Sequence, residues 1–82
     1  MREKIQKFCE LNGIEVFLLE NYDDAIIGVI RTYDEYKVLY DTDKVISILS
    51  KEMSEEEAVE YLEFNIIGSY MGKNSPAFTE YV

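Results

Sequence analysis

Along residues 2–12 the apolar positions Ile5, Phe8 and Cys9 recur at offsets of three and four and continue to Asn12, while Glu3, Lys4, Lys7 and Glu10 occupy the other faces. That spacing predicts an amphipathic helix, and Gly13 directly after it predicts a left-handed stop. The stretch Ile14 to Glu20, rich in branched and aromatic residues, predicts a strand that ends in the turn formers Asn21-Tyr22-Asp23-Asp24. A second strand is expected over Ala25 to Arg31, broken by Thr32-Tyr33-Asp34-Glu35, and a third over Tyr36 to Asp41. In the third, Tyr36, Val38 and Tyr40 point one way and Lys37, Leu39 and Asp41 the other. Short links between the three favour an antiparallel meander, because parallel neighbours need long crossovers.

Asp41-Thr42-Asp43 places side-chain oxygens ahead of Val45, Ile46, Leu49 and Met53, whose spacing predicts a helix starting near Asp43. Ser54-Glu55-Glu56-Glu57 fits a capping box, the strongest local signal in the chain. The helix it opens is expected to run from Glu55 to about Tyr70, with Ala58, Leu62 and Ile66 on one stripe and Val59 and Ile67 beside it. Its second half is apolar nearly all round, which predicts that Phe64 to Met71, with Asn65 among them, is buried in the core or at an oligomer seam. Gly72-Lys73-Asn74-Ser75-Pro76 ends the helix and leaves Ala77 to Val82 as a tail able to add an edge strand. The expected architecture is α+β in a single domain, residues 1–82: an N-terminal helix, a three-stranded antiparallel meander and two C-terminal helices packed on one face.

Composition narrows the function. Eighty-two residues carry 17 Asp and Glu against 8 Lys and Arg, a formal charge of −9 with no histidine. A chain with 48% hydrophobic and 13% aromatic residues has the apolar content of a folded domain despite that charge. The acidic balance argues against direct nucleic-acid binding, which uses Lys and Arg to displace counterions from phosphates. Cys9 is the only thiol and cannot form an internal disulfide, so it reads as a small buried hydrophobe in a reducing compartment. The longest apolar run, Ala25 to Ile30, is far below the ~18 residues of a membrane span. The N-terminus also lacks the apolar stretch of a secretory signal, and a cytoplasmic location is expected.

Without histidine no Ser-His-Asp or Cys-His triad can form, and a non-enzymatic protein without cofactors is expected. Asp41-Thr42-Asp43 opens like a calcium loop, but Val45 and Ile46 stand where an oxygen ligand and a glycine are required. Asp23, Asp24, Asp41 and Asp43 could meet at one sheet edge around a cation, although turn and cap chemistry accounts for the same residues. Glu56, Glu60 and Glu63 form an acidic stripe at helical spacing. Residues 1–13 hold three basic and two acidic side chains, residues 14–43 two and eight, and residues 44–82 three and seven, so the excess lies after Gly13. Seven tyrosines are interleaved with those carboxylates; Tyr36 and Tyr40 are expected in the core, the others nearer an interface. The candidate contacts for a basic protein partner are Glu56, Glu60, Glu63, Asp23, Asp24 and Tyr61.

The blocks Asp23-Asp24-Ala25-Ile26-Ile27-Gly28-Val29, Val38-x-Tyr40-Asp41-x-Asp43-Lys44, and Glu56-Glu57-Ala58-x-Glu60-Tyr61-Leu62-x-Phe64-Asn65-x-x-Gly68-x-Tyr70-x-Gly72 with Pro76-x-Phe78 resemble a group of small bacteriophage and prophage proteins of unassigned function. The resemblance spans roughly residues 22–78, excludes the first helix, and is most specific at Phe64-Asn65 and Gly68-x-Tyr70-x-Gly72. It implies phage or prophage origin and no activity. Phage genomes are rich in small acidic proteins that disable host machinery. The expected function is therefore an acidic binding module of the host cytoplasm. It would inhibit a nucleic-acid-handling or defence protein by presenting carboxylates in place of phosphates. The alternative is a structural homodimer formed through the C-terminal helix.

Overall fold

The computed structural model describes residues 1–69 and 72–81. Helix α1 (Arg2–Asn12) buries Ile5 and Cys9 and ends at Gly13, which adopts φ 64° and ψ 38°. A β-carbon is strained in that left-handed region, which is why the chain stops the helix with glycine. The Ile14 N–H donates back to the Cys9 carbonyl at 2.9 Å and closes the cap.

The expected strand over Ile14 to Glu20 does not form. The segment keeps a two-residue rhythm, Ile14, Val16 and Leu18 half-buried against exposed Glu15 and Phe17, yet it joins no ladder. Its Leu19 N–H donates to the Tyr40 hydroxyl at 2.7 Å. A tyrosine side chain therefore separates it from the sheet backbone, too far for strand pairing. The turn that follows passes through Asn21 at φ 73°, tolerated by asparagine, into a short 3₁₀ helix, Asp23–Ala25.

Strand β1 (Ile26–Arg31) and strand β2 (Tyr36–Tyr40) make the expected antiparallel hairpin, with a bulge between Ile26 and Gly28. The third strand is not part of a meander. It is β3 (Ala77–Phe78), which reaches β2 from the C-terminal tail and pairs in parallel, Leu39 with Ala77 and Tyr40 with Phe78, in the order β1-β2-β3. A parallel partner requires a long crossover, and the two C-terminal helices supply it. Strand β2 ends one residue earlier than expected because the Asp41 carboxylate caps helix α2 (Thr42–Leu49) through the Lys44 N–H at 3.2 Å. Met53 lies beyond the end of α2.

The capping box opens helix α3 (Glu55–Tyr61): Ser54 Oγ accepts from the Glu57 N–H at 3.2 Å while the Glu57 side chain accepts from the Ser54 N–H. Over Leu62–Ile67 the helix widens to π geometry, closed by the Gly68 N–H donating to the Glu63 carbonyl five residues back at 3.0 Å. The core joins Ile5 and Cys9 of α1, Val38 and Tyr40 of the central strand, Val45 and Leu49 of α2, and Ala58 and Leu62 from the last helix. Tyr40 is wholly enclosed, stacked on Phe78 with ring centroids 5.9 Å apart, and burial raises its hydroxyl pKa. Tyr36 is half-buried against Phe8.

Candidate protein-binding surface

Glu55, Glu56 and Glu57 occupy the first turn of α3, where the positive end of the helix dipole favours carboxylates. Ala58 and Leu62 turn inward, which leaves Glu56, Val59, Glu60 and Glu63 exposed. Among the described residues none of Glu56, Glu60 and Glu63 enters an ion pair or a side-chain hydrogen bond, whereas Asp23 and Glu35 do. Three unmatched carboxylates thus stand along one helix.

The expectation that Phe64 to Met71 is buried is overturned over its described part. Phe64 is 78% exposed, Ile67 and Asn65 are also exposed, and only Ile66 is half-buried; Tyr70 and Met71 lie outside the described residues. Asn65 is not a buried amide in need of partners; its backbone carbonyl accepts from Ser69 Oγ at 2.9 Å. The physical cause is the widened turn. A π turn holds more residues than an α turn, so positions after Leu62 are rotated away from where a 3.6-residue period places them. Phe64 was missed as a surface residue for that reason.

The six expected contact residues do not form one surface. Glu56 and Glu60 line a shallow concavity of about 420 Å³ with Glu55 and Val59. Glu60 also borders a second, about 320 Å³, with Met53, Glu57, Tyr61, Phe64 and Asn65. Glu63 is exposed in the widened turn. Asp23 is instead held by Arg2, whose Nε donates to both carboxylate oxygens at 2.9 and 3.1 Å while Nη2 donates to the Leu19 carbonyl at 2.9 Å. Hydrogen bonding to Arg2 lowers the Asp23 pKa and raises that of Arg2. Asp24 shares a separate hollow with Lys44 and Lys51 of α2. Both aspartates therefore sit beside cations of their own chain. Tyr22, next to them in sequence, has its pKa raised by burial and, to a smaller extent, by Tyr61 and Glu52.

Among the described residues no group of three or more Asp, Glu, Cys or His side chains is placed to hold a metal ion. Asp41 is occupied with capping α2 and with the Tyr81 hydroxyl, which donates to its other oxygen at 3.3 Å. Cys9 lies on a groove of about 520 Å³ between α1 and residues 14–17, and burial raises its thiol pKa, which disfavours the reactive thiolate. Among the described residues no helix is long and apolar enough to cross a membrane. No protein-family model matches the chain, and no curated protein or solved structure matches it.

Proposed function

We propose that this chain is a non-enzymatic, acidic protein-binding module of phage type. Its two C-terminal helices, packed on one face of the sheet, would present carboxylates to a basic host protein that otherwise receives phosphates. The observation that carries the reading is the conjunction on the last helix of three unmatched carboxylates, Glu56, Glu60 and Glu63, with Phe64 turned out into solvent. An exposed aromatic within a charged rim is the composition of a binding epitope: the ring supplies contact area and the charge steers encounter. The resemblance to small phage proteins supports a host target in the cytoplasm, and a nucleic-acid-handling or defence protein has the basic surface required. Self-association through this same helix is the weaker reading. A two-fold contact there would set the three glutamates against their copies, and like charges brought together oppose docking.

The test replaces Glu56, Glu60 and Glu63 together by Gln and measures capture of basic proteins from host lysate by the immobilised protein at two salt concentrations. The parent is expected to lose capture as salt rises, and the triple variant to lose it at low salt with its melting temperature nearly unchanged. Full capture by a folded triple variant would assign these glutamates to solvation alone.

A further inference from the structure

Strand β1 lies at the edge of the sheet and pairs only with β2. Among the described residues no hydrogen bond outside that ladder reaches the backbone of residues 27–31. Exposed edges in native sheets are usually blunted by lysine, proline or covering segments. Here Ala25 to Ile30 carries no charge and no proline, and Ile27, at the bulge, is 44% exposed. The bulge leaves residues 28–31 as a regular edge in a chain that is elsewhere strongly acidic.

We propose that this edge pairs with β1 of a second copy, antiparallel about a two-fold axis, joining two three-stranded sheets into one of six strands. Charge selects a copy over another partner. Asp24 precedes the strand and Arg31 ends it, so antiparallel addition carries the Arg31 of each copy toward the Asp24 of the other, giving two opposite-charge contacts by symmetry. The neighbouring acidic groups are matched within their own chain, Asp23 by Arg2 at 2.9 Å and Glu35 by Lys37 at 3.3 Å. A cationic strand would meet Arg31 at this edge and an acidic one Asp24; the edge's own sequence answers both. The contact is separate from the glutamate-bearing helix and does not depend on its partner.

Sedimentation equilibrium of the full chain over a range of concentrations, with amide hydrogen exchange of residues 28–31, tests the pairing. A dimer of the 9.6 kDa chain is expected, with exchange at those amides slowing as concentration rises. Arg31→Glu is expected to raise the dimer dissociation constant about tenfold, since like charges placed opposite each other are destabilising. Adding Asp24→Arg to it restores the parent value by reversing both pairs. Ile27→Lys, a charge at the exposed bulge, weakens the dimer independently. A 9.6 kDa species at every concentration up to about 1 mM overturns the proposal. So does a dimer whose constant ignores both Arg31→Glu and Ile27→Lys in folded variants, or one whose residues 28–31 exchange at a concentration-independent rate.

Discussion

Arg2 ties together three segments that the backbone leaves apart: its guanidinium reaches Asp23 in the 3₁₀ turn and the Leu19 carbonyl in the unpaired extended segment, and it begins α1. Asp23 has a folded pKa below its ordinary value, with the hydrogen bond to Arg2 as the main cause. A carboxylate with a lowered folded pKa adds stability that is present above the unfolded pKa and is lost as pH falls through the folded one. Stability is therefore expected to decline below about pH 4 in part through this pair. In Arg2→Met the decline attributable to Asp23 should disappear and its carboxyl should titrate in the ordinary range. NMR titration of the Asp23 carboxyl in parent and variant measures this; identical midpoints would show that the pair does not persist in solution. Both groups are exposed enough for solvent to screen them, so the expected loss at neutral pH is small.

The element that departs most from its sequence pattern is the last helix, and the departure turns on Gly68. A β-carbon there would stand 2.9 Å from the Phe64 carbonyl oxygen and 3.0 Å from that of Glu63, both backbone atoms. The widened turn therefore needs a residue without a side chain at its end, although Gly68 itself has ordinary helical angles, φ −68° and ψ −13°. Gly68→Ala is expected to cost about 1–3 kcal/mol, the range for overpacking a closely fitted site, despite alanine's better helix propensity. Urea denaturation with circular dichroism checks the sign. A variant more stable than the parent would mean that the turn relaxes to α geometry without loss. If the proposed docking of Phe64 is correct, that relaxation would also move the ring and weaken partner capture.

The whole molecule carries −9 with only three ion pairs among its described residues, two of them on the same arginine. Such a charge opposes compaction by self-repulsion, which mobile ions screen over about 8–10 Å at ordinary salt. Raising sodium chloride from about 10 to about 150 mM, which shortens the Debye length from ~30 Å to ~8 Å, is expected to raise the melting temperature by a few degrees. Calorimetry at low protein concentration, where any dimer is dissociated, isolates the effect. A melting temperature that falls with salt would show that local attractions such as Arg2 with Asp23 outweigh the global repulsion.

Local chemistry was legible wherever a residue's role depends on its immediate neighbours. Gly13 after an amphipathic stretch, Asp41 before α2 and the Ser54 to Glu57 box each act within one turn of helix, and each stands as expected. The β1–β2 hairpin was equally legible, because a short link leaves antiparallel pairing as the natural outcome. The stretch from Ile14 to Leu19 has strand-like residues but no available edge: β2 is flanked by β1 and by a tail strand more than thirty residues downstream. Pattern alone cannot rank such distant competitors. The outward turn of Phe64 was hidden for a different reason, since helical periodicity assumes 3.6 residues per turn and the chain departs from it after Leu62. The sequence by itself determined caps, charge and the hairpin, which rest on local hydrogen bonding and composition. Only the tertiary structure decided which segment completes the sheet, that Asp23 and Asp24 lie beside cations, and which side chains of the last helix meet solvent, because each depends on contacts between residues far apart in the chain.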